Sequence, residues 1–194
     1  MISDALSLTN YEIRKQMLKL FGGKFRIYDP AGTLCFYAEM KAFKLKEELS
    51  IYTGEDKATP VFNIKARSIL DFSAAYDITE PLTGEKIGVL KRKGFHSMIR
   101  DEWVIMDGLD QEIGTIQEDS MLMALLRRFL TNLIPQGFHG TVRGMPVLAF
   151  KQNFNPFTLR MNLDFSADTA NQLDRRIGLA AAVLFCAIEG RQKD

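Results

Sequence analysis

IGLAAAVLFCAIEG, Ile177–Gly190, is the stretch on which the reading of this chain turns. Twelve consecutive residues, Ile177 to Ile188, carry no charge and no polar side chain beyond the Cys186 thiol. A helix that is apolar on every side needs nonpolar surroundings on every side. Twelve residues rise only ~18 Å, against ~30 Å of bilayer hydrocarbon. Asp174, Arg175 and Arg176 bar extension on one side, and Glu189 and Arg191 on the other. Length therefore disfavours a membrane span, and a helix packed as a surface layer would leave one apolar flank in water. Enclosure by the protein's own strands is the expectation. Gly178, Ala180, Ala181, Ala182 and Ala187 keep the helix thin, while Leu179, Val183, Leu184, Phe185 and Ile188 supply bulk for packing. The polar DTANQLDRR before them belongs at the mouth, with Asp168 as the expected N-cap and Gly190 as the stop, a helix over 168–190.

Upstream, short alternating runs are broken by turn chemistry. FRIYD, the Pro30–Gly32 turn and TLCFYAE read as a hairpin. Leu49–Tyr52, Val61–Arg67 and Ala74–Ile78 follow, then IGVLKRK after a turn holding Pro81 and Gly84, and EWVIMD and QEIGTIQE around Asp107–Gly108. Strands this short, with glycine or proline at almost every break, indicate an all-β sandwich or barrel. Ile87–Leu90 and Ile113–Ile116 form a weak repeat, each copy after an acidic turn; a repeated hairpin unit and an ordinary meander both account for it. Glycine inside those strands points to close backbone approach or a bend at a barrel corner. Residues 119–134, DSMLMALLRRFLTNLI, read as an inserted helix, and FHGTVR, MPVLAFKQ and TLRMNLDF return to strands. The expected plan is a single domain over 1–194: barrel hairpins over 10–118, the insert helix, final strands over 138–165 and the central helix.

The chain has 194 residues, 46% of them hydrophobic, and Lys plus Arg number 25 against 24 Asp plus Glu, a formal charge of +1. No global field attracts nucleic acid, so none is expected as a partner. Cys35 and Cys186 lie in separate apolar runs, and the N-terminus MISDALSLTNYEIRK has no signal-peptide core, so both thiols are expected reduced and buried in a cytoplasmic protein.

Catalytic chemistry finds no foothold. His96 and His139 stand apart without HxH or HxxxH spacing, neither cysteine has a histidine neighbour, and no GxGxxG or P-loop occurs. No catalytic residue, metal or cofactor is expected. Basic groups are the better lead. Lys91, Arg92 and Lys93 are consecutive, and Lys41, Lys44 and Lys46 alternate with Ala42, Phe43 and Leu45, read as a lysine face on a strand. Such groups suit an anionic headgroup through charge-assisted hydrogen bonds, or serve as solvated, edge-protecting lysines. In the insert, Met121 and Met123 lie on a broad apolar surface and Arg127 and Arg128 are adjacent; that surface either packs under strands or meets a partner or membrane.

With YEIRKQMLKLFGGKFRIYDPAGTLCFYAEMKAFKLKEELSIYT, the IGVLKRK, EWVIMD and QEIGTIQE hairpins and the alanine-rich final helix in view, the chain resembles the tubby C-terminal-like superfamily, in its LURP-one-related and scramblase-like branch. The resemblance spans roughly Tyr11 to Glu189. It implies a closed antiparallel β-barrel of about twelve strands enclosing a hydrophobic C-terminal helix, with Tyr11–Gln16 as a strand. It also implies a non-enzymatic module binding anionic phospholipid headgroups, a membrane surface or a protein partner. A scramblase-like lipid-translocating role is the alternative, an enzyme the last resort. Scramblase-like members carry a calcium-binding acidic stretch before the helix; here LDFSADTANQLD offers only Asp164, Asp168 and Asp174, too few oxygen ligands for such a loop.

Overall fold

The computed structural model describes residues 2–16, 23–40, 48–67, 75–93, 102–119, 137–153 and 158–189. Among these, twelve strands close an antiparallel barrel in which each pairs with its neighbours in sequence. They are β1 (Asn10–Gln16), β2 (Gly23–Tyr28), β3 (Leu34–Met40), β4 (Leu49–Tyr52), β5 (Pro60–Ala66) and β6 (Ala75–Thr79). The other half is β7 (Lys86–Arg92), β8 (Glu102–Asp107), β9 (Glu112–Glu118), β10 (Gly137–Val142), β11 (Met145–Asn153) and β12 (Thr158–Asp164). Closure comes from β1 against β12, in register from Asn10 opposite Asp164 to Gln16 opposite Thr158. A short helix α1 (Ile2–Leu6) precedes the barrel, and α2 (Arg175–Glu189) runs through it.

Period-two alternation builds the wall. Tyr11 and Ile13 on β1, Phe25 and Ile27 on β2, Phe36 and Ala38 on β3, and Trp103 and Ile105 on β8 join one core with the helix. Every residue from Ile177 to Ala187 is buried, so the greasy run is wrapped by the protein's own strands. Its small residues make the fit. A Cβ on Gly178 would lie 2.3 Å from the Phe165 ring, closer than any real Cβ contact. At the far end Phe185 lies among Phe138, Phe150 and Trp103, with ring centroids 4.7, 5.2 and 5.3 Å away. There the inward-facing Lys15 donates from Nζ to the Cys186 carbonyl at 3.2 Å. A cation on the last turn complements the negative end of the helix dipole.

The strand glycines act by allowing close approach. A Cβ at Gly114 would sit 2.0 Å from the Thr141 carbonyl oxygen, and one at Gly88 would meet Ile177 Cδ1 at 2.6 Å.

Two expectations need correction. The helix begins at Arg175, not at Asp168. The Asp168 carboxylate instead accepts from the amides of Gln172 and Leu173 at 2.8 and 3.1 Å, and Asn171 has a φ of 49°. Those amides are taken and the left-handed residue breaks helical continuity, so the chain turns before it winds. Asp174 is the residue that caps α2, its Oδ1 accepting from the Arg176 amide at 2.9 Å. Of the two free cysteines only Cys186 is buried; Cys35 is half-buried, packed against the edge of the core near the start of β3, beside the β2–β3 bulge. Burial and the nearby Asp29 charge both raise its thiol pKa. The insert helix expected over 119–134 lies, apart from Asp119, outside the described residues.

Candidate anion-binding face

The closing pair of strands brings together arginines that are far apart in the chain. Arg14 on β1 faces Arg26 on β2 and Arg160 on β12 directly across the sheet. All three alternate with core residues and so project from the outer wall: Ile13 beside Arg14, Phe25 and Ile27 around Arg26, Leu159 and Met161 around Arg160. Strands are spaced by ~4.8 Å, so the guanidinium-bearing positions form a row ~10 Å long.

Like charges directly opposite one another destabilise a sheet. Here the repulsion is offset by two carboxylates and one ring. Glu12 accepts from Arg14 Nε, and lies 3.9 Å from Arg160 Nη1. Arg14 stacks over Tyr28 at 4.3 Å. Arg26 forms a bidentate pair with Glu55, at 2.7 and 3.1 Å. Hydrogen bonding to Glu55 raises the Arg26 pKa, and the same bond lowers that of Glu55. Arg160 is the least satisfied member: among the described residues its ion partner is Glu12 alone, beyond hydrogen-bond range. Lys151 stands diagonal to Arg160, since its partner on β12 is Asn162 while Asn153 pairs with Arg160. Three guanidiniums and a lysine against two carboxylates leave an excess of positive charge on a convex wall. Guanidinium forks match phosphate and carboxylate oxygens bidentately, so the face is suited to an anionic group presented at a surface.

The basic run singled out in the sequence is divided by the fold. Leu90 belongs to the inner core and Val89 to a separate outer cluster with Val104 and Met106, so Lys91 and Lys93 share the outer side while Arg92 falls on the opposite side. Lys93 Nζ is held by Glu102 at 2.7 Å. In the closed order β7 lies across the barrel from β1, so this run and the arginine row cannot hold one ligand. Lys41, Lys44, Lys46, Met121, Met123, Arg127, Arg128 and His96 lie outside the described residues. His139 is exposed on β10 with Nδ1 against the Asp119 carboxylate.

Among the described residues no group of three or more His, Cys, Asp or Glu side chains is placed to hold a metal ion. The acids before α2 are engaged elsewhere: Asp164 accepts from the Ser166 amide at 2.7 Å, and Asp168 and Asp174 bind Arg175 and Arg176. Burial opposes ionisation of Asp174, yet its bonds to the Arg176 side chain and amide bring its pKa below the ordinary value. No helix among the described residues is long and apolar enough to cross a membrane.

Sequence reasoning missed the arginine row because each member is isolated in the text. The alternation in YEIRK, FRIY and TLRMNL marks all three as outward, but only the β1–β12 and β1–β2 registers make them neighbours.

No curated protein matches the chain, and no solved structure does. The family model for LURP-one-related proteins matches residues 34–155, from the first residue of β3 to just beyond β11. With more than half of its length inside that match, the chain belongs to the LURP-one-related family.

Proposed function

We propose that this protein is a non-enzymatic binding module that takes the phosphate groups of an anionic lipid headgroup on the outer face of β2, β1 and β12, acting at the periphery of a membrane. The observation that carries the reading is the row Arg26, Arg14, Arg160, set in register by barrel closure and only partly neutralised by Glu12 and Glu55. A protein gains nothing in stability from lining up like charges, so their alignment favours an external anion. The resemblance to tubby-like proteins supports a phosphoinositide as that anion.

Flotation with vesicles of phosphatidylcholine, with and without a few per cent phosphoinositide, tests this. The wild-type chain should float with the phosphoinositide vesicles alone, less so as salt rises, because exposed charges are screened. The Arg14→Ala/Arg160→Ala variant should bind at least tenfold more weakly, while Lys91→Ala/Arg92→Ala should bind as wild type. Equal binding by the arginine double variant would retire the face. Calcium-dependent lipid flipping is not expected, since Asp164, Asp168 and Asp174 are committed to local partners.

A further inference from the structure

Among the described residues, Leu82, Leu109 and Met145 are the large apolar side chains left open to water, at 89%, 80% and 57% exposure. Each stands at the tip of a hairpin: Leu82 between β6 and β7, Leu109 between β8 and β9, and Met145 where β11 leaves its turn with β10. Singly exposed hydrophobics are ordinary. These three occupy consecutive hairpins, and in an antiparallel meander the β6–β7, β8–β9 and β10–β11 turns all lie at one end of the barrel. It is the end where α2 enters, since Ile177 meets Gly88 near the start of β7.

The tips are stiff. The Glu80 carboxylate accepts from the amides of Leu82 and Thr83 at 2.8 and 2.7 Å. The Asp107 carboxylate accepts from the amides of Leu109 and Gln111, both at 2.9 Å. In both turns an acid ties down the leucine two residues ahead of it, so the two tips present leucine in the same way. Arg143 donates its amide to the Ile113 carbonyl at 2.8 Å, joining the third tip to the second. Asp110 in the second tip binds Lys86 Nζ at 2.9 Å, joining it to the first.

Around the three side chains the charge is acidic. Glu80, Glu85, Asp107, Asp110 and Glu112 stand on these tips with Lys86 and Arg143. Arg67 reaches Asp110 and Arg176 faces Glu80 and Glu85, but each is shared with a further acid, Asp77 and Asp174, so the acidic excess remains. A phosphate-bearing bilayer surface would be repelled, and the arginine row lies on other strands, β2, β1 and β12. Neighbouring tips are two strand spacings apart, ~10 Å. Seven residues of α-helix rise a similar ~10.5 Å and return to nearly the same face. We infer that this end of the barrel docks a basic amphipathic helix of a protein partner, with apolar side chains seven apart meeting Leu82, Leu109 and Met145 and its Lys or Arg residues meeting the surrounding carboxylates. Apolar anchors in a charged rim are the usual anatomy of helix recognition.

The probe is a fluorescent peptide of leucine and lysine, patterned as an amphipathic helix of about four turns, titrated with the full chain and read by anisotropy. Wild type should bind it; Leu82→Ser/Leu109→Ser/Met145→Ser should bind at least tenfold more weakly with an unchanged unfolding midpoint. Glu85→Lys/Glu112→Lys should weaken it as well, and a peptide with glutamate for every lysine should not bind. Arg14→Ala/Arg160→Ala should leave peptide binding intact, which separates this surface from the headgroup face. No binding by wild type, equal binding by the triple serine variant, or flotation of wild type with pure phosphatidylcholine vesicles that the triple variant loses would each overturn the inference.

Discussion

Tyr11 shows how one inward side chain reports on the whole enclosure. Its hydroxyl donates to the Ala5 carbonyl at 2.7 Å, and its ring meets Phe165 edge-on at 6.1 Å. Burial pushes the phenol up to about 12, with Arg175 pulling weakly the other way. An unfolded tyrosine titrates near 10. Between those two values the folded chain holds a proton that the unfolded chain has lost, so stability is fully present below pH ~10 and falls as pH rises toward ~12. Tyr11→Phe removes that dependence. Urea midpoints should show the variant less stable at neutral pH, through the lost bond to Ala5, with the gap narrowing through the alkaline window; a constant gap would contradict a buried neutral phenol. Lys15 was as visible as Tyr11 in the sequence, but alternation alone gives no reason to turn a lysine inward. The reason is the Cys186 carbonyl at the helix end, which belongs to the other end of the chain.

At the scale of elements, α2 depends on the loop that delivers it. Asp168 has a fully buried side chain bound to Arg175 Nη1 at 2.8 Å, and Arg175 in turn stacks on Phe165 at 4.4 Å. Asp168→Ala leaves a largely buried guanidinium and two amides without their acceptor, and should cost ~3–5 kcal/mol. Asp168→Asn keeps an oxygen for one amide and should lose less; equal losses would show that the retained oxygen contributes nothing and the charge carries the whole effect. Within the helix, Gly178→Ala reverses the usual rule. Alanine normally gains ~1 kcal/mol over glycine in a helix, but its Cβ would intrude on a Phe165 ring clamped between Tyr11 and Arg175. Overpacking of ~1–3 kcal/mol should win, for a net loss of up to ~2 kcal/mol in denaturation followed by Trp103 fluorescence. The helix itself was legible because an all-apolar run of that length has few physical homes. Its start was not, because Asp168 and Asp174 both look like N-caps, and only the left-handed Asn171 decides between them.

For the whole molecule, barrel and helix form one core, so neither half is expected to stand alone. Ala182, with no exposure, lies where a side chain can neither reach water nor find a partner. Ala182→Arg should abolish soluble expression, as an unpaired charge in that lumen costs several kcal/mol; recovery of a cooperatively folding variant would argue against enclosure. Closure was implied by the buried helix, since only a continuous wall covers every side of it. The candidate face was not, because adjacency of β1 and β12 is a property of the closed ring and leaves no local mark in either strand. Hairpin tips fared between the two: their turn chemistry was plain, while the shared end they occupy needed the topology.

The position of α2 at the centre sets the order in which the protein comes into being. All twelve described strands are synthesised before residues 175–189 leave the ribosome, and β1 waits for β12, the last of them to be made. A nascent barrel is thus a hollow, unsealed sheet with its apolar lining facing nothing, and folding is deferred until α2 has emerged. Stalled chains ending before Arg175 should be cleaved rapidly by protease and held by chaperones, whereas chains that include α2 should become resistant in a single step.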